Sequence, residues 1–574
     1  MAQGLFNRWS ESILGLQMPN RGLSELDGGV MCPACAALHG RAAEAVWPFC
    51  WAWKRTGDSR YLVAAKRLMR WAVNNLERPD GSYLNDPNMS WRGTTVFLQT
   101  AIGRALELCG DDLDEKTREE WKEIFRRQTD WCWRWMEDPA RVVNVNYRAG
   151  FALAMEFAAR ILRDEKYRAA GDVQAKRVLE NIAADGLLFG EARPPEVVSG
   201  RGFRGVDVGY NVEETMPALL EWAELRGDSC ALAKILDCAE THLWFLLSDG
   251  GVDNSFGSRA YKWTYWGSRT SDGMLPMLII LARHGRAGAR SAIDRVLALY
   301  ERCTTRSEGL LAGGLDYEAA GEPICVHHTF CHLKTLPQII DANWNEITGG
   351  VLPADGAFGF RRFPTCGVTL VGIGDWRATF SENDVYFVDD NGKSTGGGSL
   401  TFLSHAQTGP VFAASMARWS LVERMNMQEQ RKSDLNRSFT PRLETTDGRY
   451  MSVCDDRVDW MVSRTEDGVI AVAKGRLTDV ADCVGPDFTM SWSISPAGVT
   501  VEATCQSAAR LVLPLIASAA EKIELESTVP ITIERSDRPD GLFFSSQTGF
   551  LVSYRTVLCS GSVRARIKAR HAGL

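Results

Sequence analysis

The hydrophobic pattern of this 574-residue chain changes period once, near residue 345, and that change constrains the fold more than any other feature. Before it, apolar residues recur at helical spacing. Leu62, Ala65, Leu68, Ala72 and Leu76 fall at i, i+3, i+6, i+10 and i+14, one face of an amphipathic helix. Similar segments run at about 93–109, 114–137, 148–163, 167–183, 212–225, 229–247, 273–285 and 288–302. Pro48 and Pro276 fall where helices start or bend. After Gly349 the pattern becomes short and alternating, as in Val499-Thr500-Val501-Glu502-Ala503-Thr504 and Ile531-Thr532-Ile533-Glu534. Further strands are expected at Val469–Ala473, Phe488–Ile494, Leu511–Ile516 and Phe550–Tyr554.

A weak repeat runs through the helical part. Gly57-Asp58 precedes the helix of Tyr61, Arg163-Asp164 precedes that of Tyr167, and Gly227-Asp228 precedes another Ala-rich helix. Each reads as a short link with Asp at the N-cap, joining two antiparallel helices. Hairpins repeated in this way must close or stack to bury their inner faces. The expectation is a multidomain α+β chain: an (α/α) toroid, or barrel, of helical hairpins over 1–345, then an antiparallel β-sandwich of about a dozen strands over 350–574.

Charge and composition narrow the function. Lys plus Arg number 65 and Asp plus Glu 72, a net −7, so the chain lacks the basic footprint of a nucleic-acid binder. No stretch approaches 18 uninterrupted apolar residues, so no membrane span is expected. The fifteen cysteines are an odd, unpatterned set, which predicts reduced thiols. Residues 1–16 do not read as a secretory leader. Together these predict a cytoplasmic location, or a periplasmic or secreted one if a leader has been removed. Fifteen of the nineteen Trp lie at or before Trp344, where flat faces suit helix cores and sugar-stacking clefts alike.

Five polar clusters fall on the helical part. Cys32-Pro33-Ala34-Cys35 precedes His39-Gly40-Arg41. One CxxC pair offers two zinc ligands and no second pair follows at finger spacing, so Cys32 and Cys35 read as small packing residues and no metal is expected. His39 and Arg41 sit at a helix mouth and could face a cleft. Asn144-Val145-Asn146-Tyr147-Arg148 opens an Ala-rich helix, where an Asn either caps the helix or holds an acidic sugar's carboxylate. The glycine-rich stretch from Arg201 to Glu214 contains Tyr210, Asn211 and Glu214. The densest cluster runs from Asp253 to Asp272 and interleaves Asn254, Arg259, Lys262, Trp263, Tyr265 and Arg269. In an acidic protein such a mixture suits an anionic sugar, with cations for the carboxylate and aromatic faces for the ring. Last come His327, His328 and His332, three of only eight histidines. His328 and His332 are i, i+4, but no HExxH is present, so they read as a cleft base or substrate contact more readily than as a metal pair. Trp91 and Trp263 are candidate sugar platforms, with core packing the alternative for each.

At this point the chain resembles the toroid-type polysaccharide lyases, heparinase II/III-like and alginate-lyase-like. The architecture matches over the whole chain. Asn146-Tyr147 resembles the Asn-His pair that those lyases carry on a toroid helix, with Tyr in place of His. Gly209-Tyr210 is similar to the loop that offers their catalytic Tyr. The resemblance implies β-elimination: a uronate's C5 proton is removed once its carboxylate is neutralised, and the leaving glycosidic oxygen is protonated. Asn146, Asn144 and Arg259 or Arg269 are then the neutralising groups and Tyr210 the acid, with His39, His328 or His405, or Tyr210 itself, as base. No metal or other cofactor enters that chemistry, and the partner is an acidic poly- or oligosaccharide. Two alternatives stand beside it. A glycoside hydrolase on the same toroid would use paired carboxylates among Asp207, Glu213, Glu214, Asp253 and Asp272. A non-catalytic glycan-binding protein would need only the aromatic platforms.

Overall fold

The computed structural model describes residues 1–138, 143–192, 194–265, 272–342, 344–387, 393, 395–423, 427 and 437–570. The helical part holds α1 (Ala2–Leu16), α2 (Val46–Thr56), α3 (Ser59–Asn75), α4 (Thr95–Cys109), α5 (Glu115–Glu137), α6 (Val145–Leu162) and α7 (Glu165–Leu179). It continues with α8 (Val208–Tyr210), α9 (Met216–Arg226), α10 (Ser229–His242), α11 (Leu275–Arg283), α12 (Ala289–Cys303), α13 (Tyr317–Ala320), α14 (Val326–Leu333) and α15 (Leu336–Asp341). Consecutive helices pack as hairpins: α2 with α3, α4 with α5, α6 with α7, α9 with α10, α11 with α12. An inner circuit runs α2, α4, α6, α9, α11, α15 and back to α2, which closes the toroid.

Two local repeats build the ring. In the links α2–α3, α6–α7 and α9–α10, a left-handed residue ends one helix and an Asp caps the next. The pairs are Gly57 (φ 73) with Asp58, Arg163 (φ 55) with Asp164, and Gly227 (φ 64) with Asp228. The Asp carboxylates accept from the amides of Arg60, Lys166 and Ala231 at 2.9, 3.1 and 3.0 Å. A second repeat follows the outer helices: Asp27-Gly28, Asp80-Gly81, Asp185-Gly186, Asp249-Gly250 and Glu308-Gly309. A Cβ on these glycines would strike Arg67 of α3, Arg127 of α5, Thr241 of α10, Arg295 of α12 and Ser12 of α1 respectively. Each turn therefore packs against another outer helix. The last one closes the ring, because Ser12 Oγ donates to the Glu308 carbonyl at 2.8 Å. The chain leaves these turns along loops that form the mouth of the toroid.

Sixteen strands follow among the described residues, in three antiparallel sheets. The first is a five-stranded meander of β1 (Gly359–Phe363), β2 (Val368–Ile373), β3 (Trp376–Ser381), β4 (Ser399–His405) and β5 (Gly409–Ala413). It lies between the toroid and the rest: Ser255 Oγ donates to Thr401 Oγ1 at 2.8 Å on one side, and Phe380 packs on Trp460 at 5.3 Å on the other. The other two sheets centre on Gly498–Cys505 and Phe550–Cys559. In the former, Val499, Val501, Ala503 and Cys505 are buried while Glu502 and Thr504 are exposed, as the alternation requires.

Candidate active site

A cavity of about 580 Å³ opens at the toroid mouth, within the range of sugar- and cofactor-sized pockets. Its polar lining includes Arg41, Asn85, Asn144, Asn146, Tyr210, Glu214, Arg259, Lys262 and Glu423; Trp91, Phe97, Tyr147 and Phe387 supply aromatic faces.

One wall is built on the start of α6 and on a turn of π-helix at Asn211–Thr215. The wider i→i+5 turn is a common device at functional positions. Here it aims neighbouring carboxylates at different partners. Glu213 faces His332 at 3.6 Å, and Glu214 accepts from Asn146 Nδ2 at 2.7 Å. Arg41 approaches the other Glu214 oxygen at 3.4 Å and binds Glu44 at 2.7 Å and Asp272 at 2.8 Å. Lys334 joins the same network, at 2.7 Å from Asp272 and in contact with Glu44. Burial pushes the Glu214 carboxyl up to about 7, against the pull of Arg41. Burial would raise Asp272 too, but Lys334 and Arg41 outweigh it and hold that group below its ordinary value.

Tyr210 ends the short helix α8, immediately before that π-turn. The buried Asp207 carboxylate fixes its backbone by accepting from the amides of Tyr210 and Arg259, and from Asn254 Nδ2, each at 3.0 Å. Asn254 returns its own oxygen to the Val208 amide at 2.9 Å. Gly257 is obligatory here, since a Cβ would lie 2.4 Å from Asn254 Oδ1. Lys262 Nζ donates to the Tyr210 hydroxyl at 3.0 Å and pairs with Glu423 at 3.0 Å. The Arg259 guanidinium lies 4.6 Å from the centre of the Tyr210 ring and pairs with buried Glu191 at 2.8 Å. Burial drives Glu191 up to about 8 while Arg259 opposes it. A phenol beside two cations therefore shares this cavity with the Asn146–Glu214 pair.

Of the residues singled out in the sequence, Arg41, Trp91, Asn144, Asn146, Tyr147, Tyr210, Glu214, Arg259 and Lys262 line this cavity. Trp91 is 42% exposed and donates through Nε1 to the Tyr147 hydroxyl at 2.9 Å. Asn144 sits at the N-cap of α6, its oxygen accepting from the Ala192 amide at 3.1 Å. Asn254 is a scaffold residue, as described. Asn211 is another, spent on the Leu188 carbonyl and His242. Trp263 backs Tyr210 at 5.6 Å between ring centres, and Tyr265 is core, packed on Phe550. Arg269 lies outside the described residues.

The structure places the histidines elsewhere. Among the described residues no histidine lines the cavity. His39 is buried beside Asp86 and packs at a tilt on His327, 4.8 Å between ring centres; His328 lies against Gly313. His328 and His332 share a helix face, yet their rings are 6.4 Å apart and His332 Nδ1 lies 2.8 Å from the His328 carbonyl. His405 packs on Trp376 in the first sheet. The loops around 39 and 328 therefore do not supply the cavity with a base. Sequence reading passed over Asn85, Met89, Phe387 and Glu423, which line it, and Glu44 and Lys334, which complete the network behind Arg41.

Comparison with known proteins agrees with this arrangement. The family profile described as Ulvan lyase N-terminal domain matches residues 6–349, and that of the Ulvan lyase C-terminal domain matches 360–543. The broad-specificity ulvan lyase of Formosa agariphila is 33% identical over 555 residues, covering 92% of this chain and 85% of that protein. At the level of fold, the Streptomyces coelicolor A3 chondroitin AC lyase, solved with chondroitin sulphate, matches with a TM-score of 0.54 at 11% identity, covering 100% of this chain and 79% of its own. A Paenibacillus xanthan lyase matches with a TM-score of 0.56 at 10% identity, covering 100% of this chain and 57% of its own. The hydrolase and binding-protein alternatives are not favoured. The chain belongs to the ulvan lyase family and is a polysaccharide lyase with a helical toroid followed by antiparallel sheets.

Proposed function

We propose that this lyase cleaves ulvan or a related uronate-containing glycan by β-elimination, and that Tyr210 moves both protons. The observation that carries the proposal is the Tyr210 hydroxyl held 3.0 Å from Lys262 Nζ beneath Arg259, in the same cavity as the Asn146–Glu214 pair. The substrate carboxylate docks on Asn146 and on Glu214 in its acid form, both hydrogen-bond donors, with Arg259 adding charge. Neutralised in this way, the carboxylate can accept the electron density of the C5 carbanion. Tyr210, acting as the base with its oxygen 3.0 Å from Lys262 Nζ, takes the C5 proton. The C4–O bond then breaks, a C4–C5 double bond forms, and Tyr210 returns the proton to the leaving oxygen. No water is consumed. Trp91 and Tyr147 offer flat faces to neighbouring sugar rings.

Tyr210→Phe tests the assignment because it keeps the ring against Trp263 and removes only the hydroxyl. Turnover of ulvan, followed by absorbance of the unsaturated product, should fall by about 10²- to 10⁴-fold with KM little changed. A folded variant with near-normal kcat would remove Tyr210 from the chemistry. A panel of uronate glycans under the same assay tests the substrate class independently.

A further inference from the structure

Away from the cavity, the fold assembles a four-residue constellation that the spacing of the sequence conceals. Cys32 and Cys35 lie on a short hairpin where the Cys32 amide donates to the Ala37 carbonyl at 2.9 Å and Met31 bridges Leu38. Cys325, 293 residues beyond Cys32, enters from the residue just before α14. His39 completes the group. The four ligand atoms all lie within 4.8 Å of one another.

We propose that Cys32, Cys35, Cys325 and His39 form a structural zinc site. Three kinds of geometry support it. First, the Cys32 and Cys325 sulfurs are 3.8 Å apart. That is far from a disulfide's length of about 2.05 Å. It matches the separation of about 3.8 Å between two ligands of a tetrahedral ion with Zn–S bonds of about 2.3 Å. Second, His39 presents Nε2 to the thiols, 4.0 Å from Cys325 Sγ, while Nδ1 faces the Asp86 carboxylate at 3.3 Å. A carboxylate behind the distal nitrogen fixes the tautomer that leaves Nε2 free to bind a metal. Asp86 is itself anchored by the Gly40 amide at 2.8 Å. Third, Cys32, Cys325 and His39 are 0%, 1% and 0% exposed, whereas Cys35 is exposed. The site is closed on the protein side and reachable from solvent on one. Three thiolates with one imidazole, and no further position required for water, are the donor set of structural rather than catalytic zinc.

The placement suggests what the ion would do. It would tie the N-terminal hairpin to the start of α14, closing the toroid where α1 and α14 meet. Asp86 stands in the loop that supplies Asn85, Met89 and Trp91 to the cavity, and Arg41 follows His39 by two residues. The ion would therefore stiffen one wall of the substrate cavity without touching substrate.

Cys35→Ser is the informative variant, because an exposed Cys outside the core can become Ser without a packing penalty. Cys230→Ser and Cys483→Ser, at two other exposed cysteines, are the controls. Protein purified under reducing conditions should contain about one zinc per chain by mass spectrometry of metals. Cys35→Ser should lose most of it and unfold at lower temperature, while the controls keep both. Cobalt(II) added to the zinc-stripped protein should give the intense visible bands of a tetrahedral thiolate site in the wild type and weaker, shifted bands in Cys35→Ser. Full zinc retention by Cys35→Ser would overturn the proposal. So would a folded, active protein that contains no zinc and binds no cobalt, or one in which Cys32 and Cys35 are recovered as a disulfide.

Discussion

A carboxyl group held between an amide and a guanidinium can serve in either protonation state, and burial tips Glu214 toward the neutral one. Pushed up to about 7, it is half neutral near physiological pH. The neutral form can donate to a substrate carboxylate, and the ionised form repels it. kcat/KM should therefore fall as pH rises through about 7. Glu214→Gln keeps a donor at every pH, so the pH–rate profile of that variant should lose this decline; an identical decline in the variant would show that another group titrates. Stability follows the same sign. A folded-state value above the ordinary carboxylate range gives a contribution present in full below that range and lost as pH rises through about 7. The sequence pointed to Glu214 and Tyr210 because helix-start acids and a Tyr flanked by Gly and Asn are unusual company for one loop. It also pointed to His39, at a helix mouth, and to His328, in a run of three histidines. Rarity draws the eye to histidine, but His39 and His328 are 0% and 5% exposed and packed against other elements. Glu44, Asp272 and Lys334 could not be joined to Arg41 in advance, because that network exists only once the toroid has closed.

Among the elements, the helical hairpins were legible because their two signals are local: a period of 3.6 and an Asp cap after a left-handed residue. The link can be tested by exchange. A Cβ at Gly227 would meet nothing within 4 Å, so Gly227→Ala should cost only the left-handed backbone penalty, about 1 kcal/mol by urea denaturation. Arg163 already carries that penalty at φ 55, so Arg163→Gly should leave stability unchanged or raise it. A loss in both variants would show that the shared link geometry is not what sets their energies. The first sheet was far less legible. In β2, Val368 to Gly372 are buried without a break, because toroid and sandwich cover both faces of the sheet. Burial on both faces erases the period of two that marks a strand. The Asp-Gly turns escaped notice for a different reason: the intervals between them are unequal, and only the ring shows that each packs against an outer helix.

At the scale of the whole molecule, the sheets do more than follow the toroid, for they hold the loop that carries Arg259 and Lys262. Gln547, 3% exposed between Ser545 and Phe550, is the fastening. Its Nε2 donates to the carbonyls of Ala260 at 3.0 Å and Tyr261 at 2.9 Å, and its Oε1 accepts from the Met416 amide at 3.3 Å. Its own carbonyl accepts from the Thr264 amide at 3.1 Å. The change in period near residue 345 announced two kinds of structure, but nothing in it indicated that the second would brace the cavity-lining loop of the first. Gln547→Glu isolates the brace, since it preserves shape and acceptor while removing both donors to the loop. Two buried carbonyls would then face a carboxylate, and the loop should retreat. A displacement of about 1 Å at reacting groups can cost about 10²-fold, so kcat should fall by roughly 10- to 100-fold, with KM changing less and helical circular dichroism unchanged. Because Gln547 acts through Lys262, the loss should not add to that of Lys262→Ala in a double-mutant cycle. Near-normal turnover in Gln547→Glu, or full additivity with Lys262→Ala, would mean that the loop holds its shape from within the toroid alone.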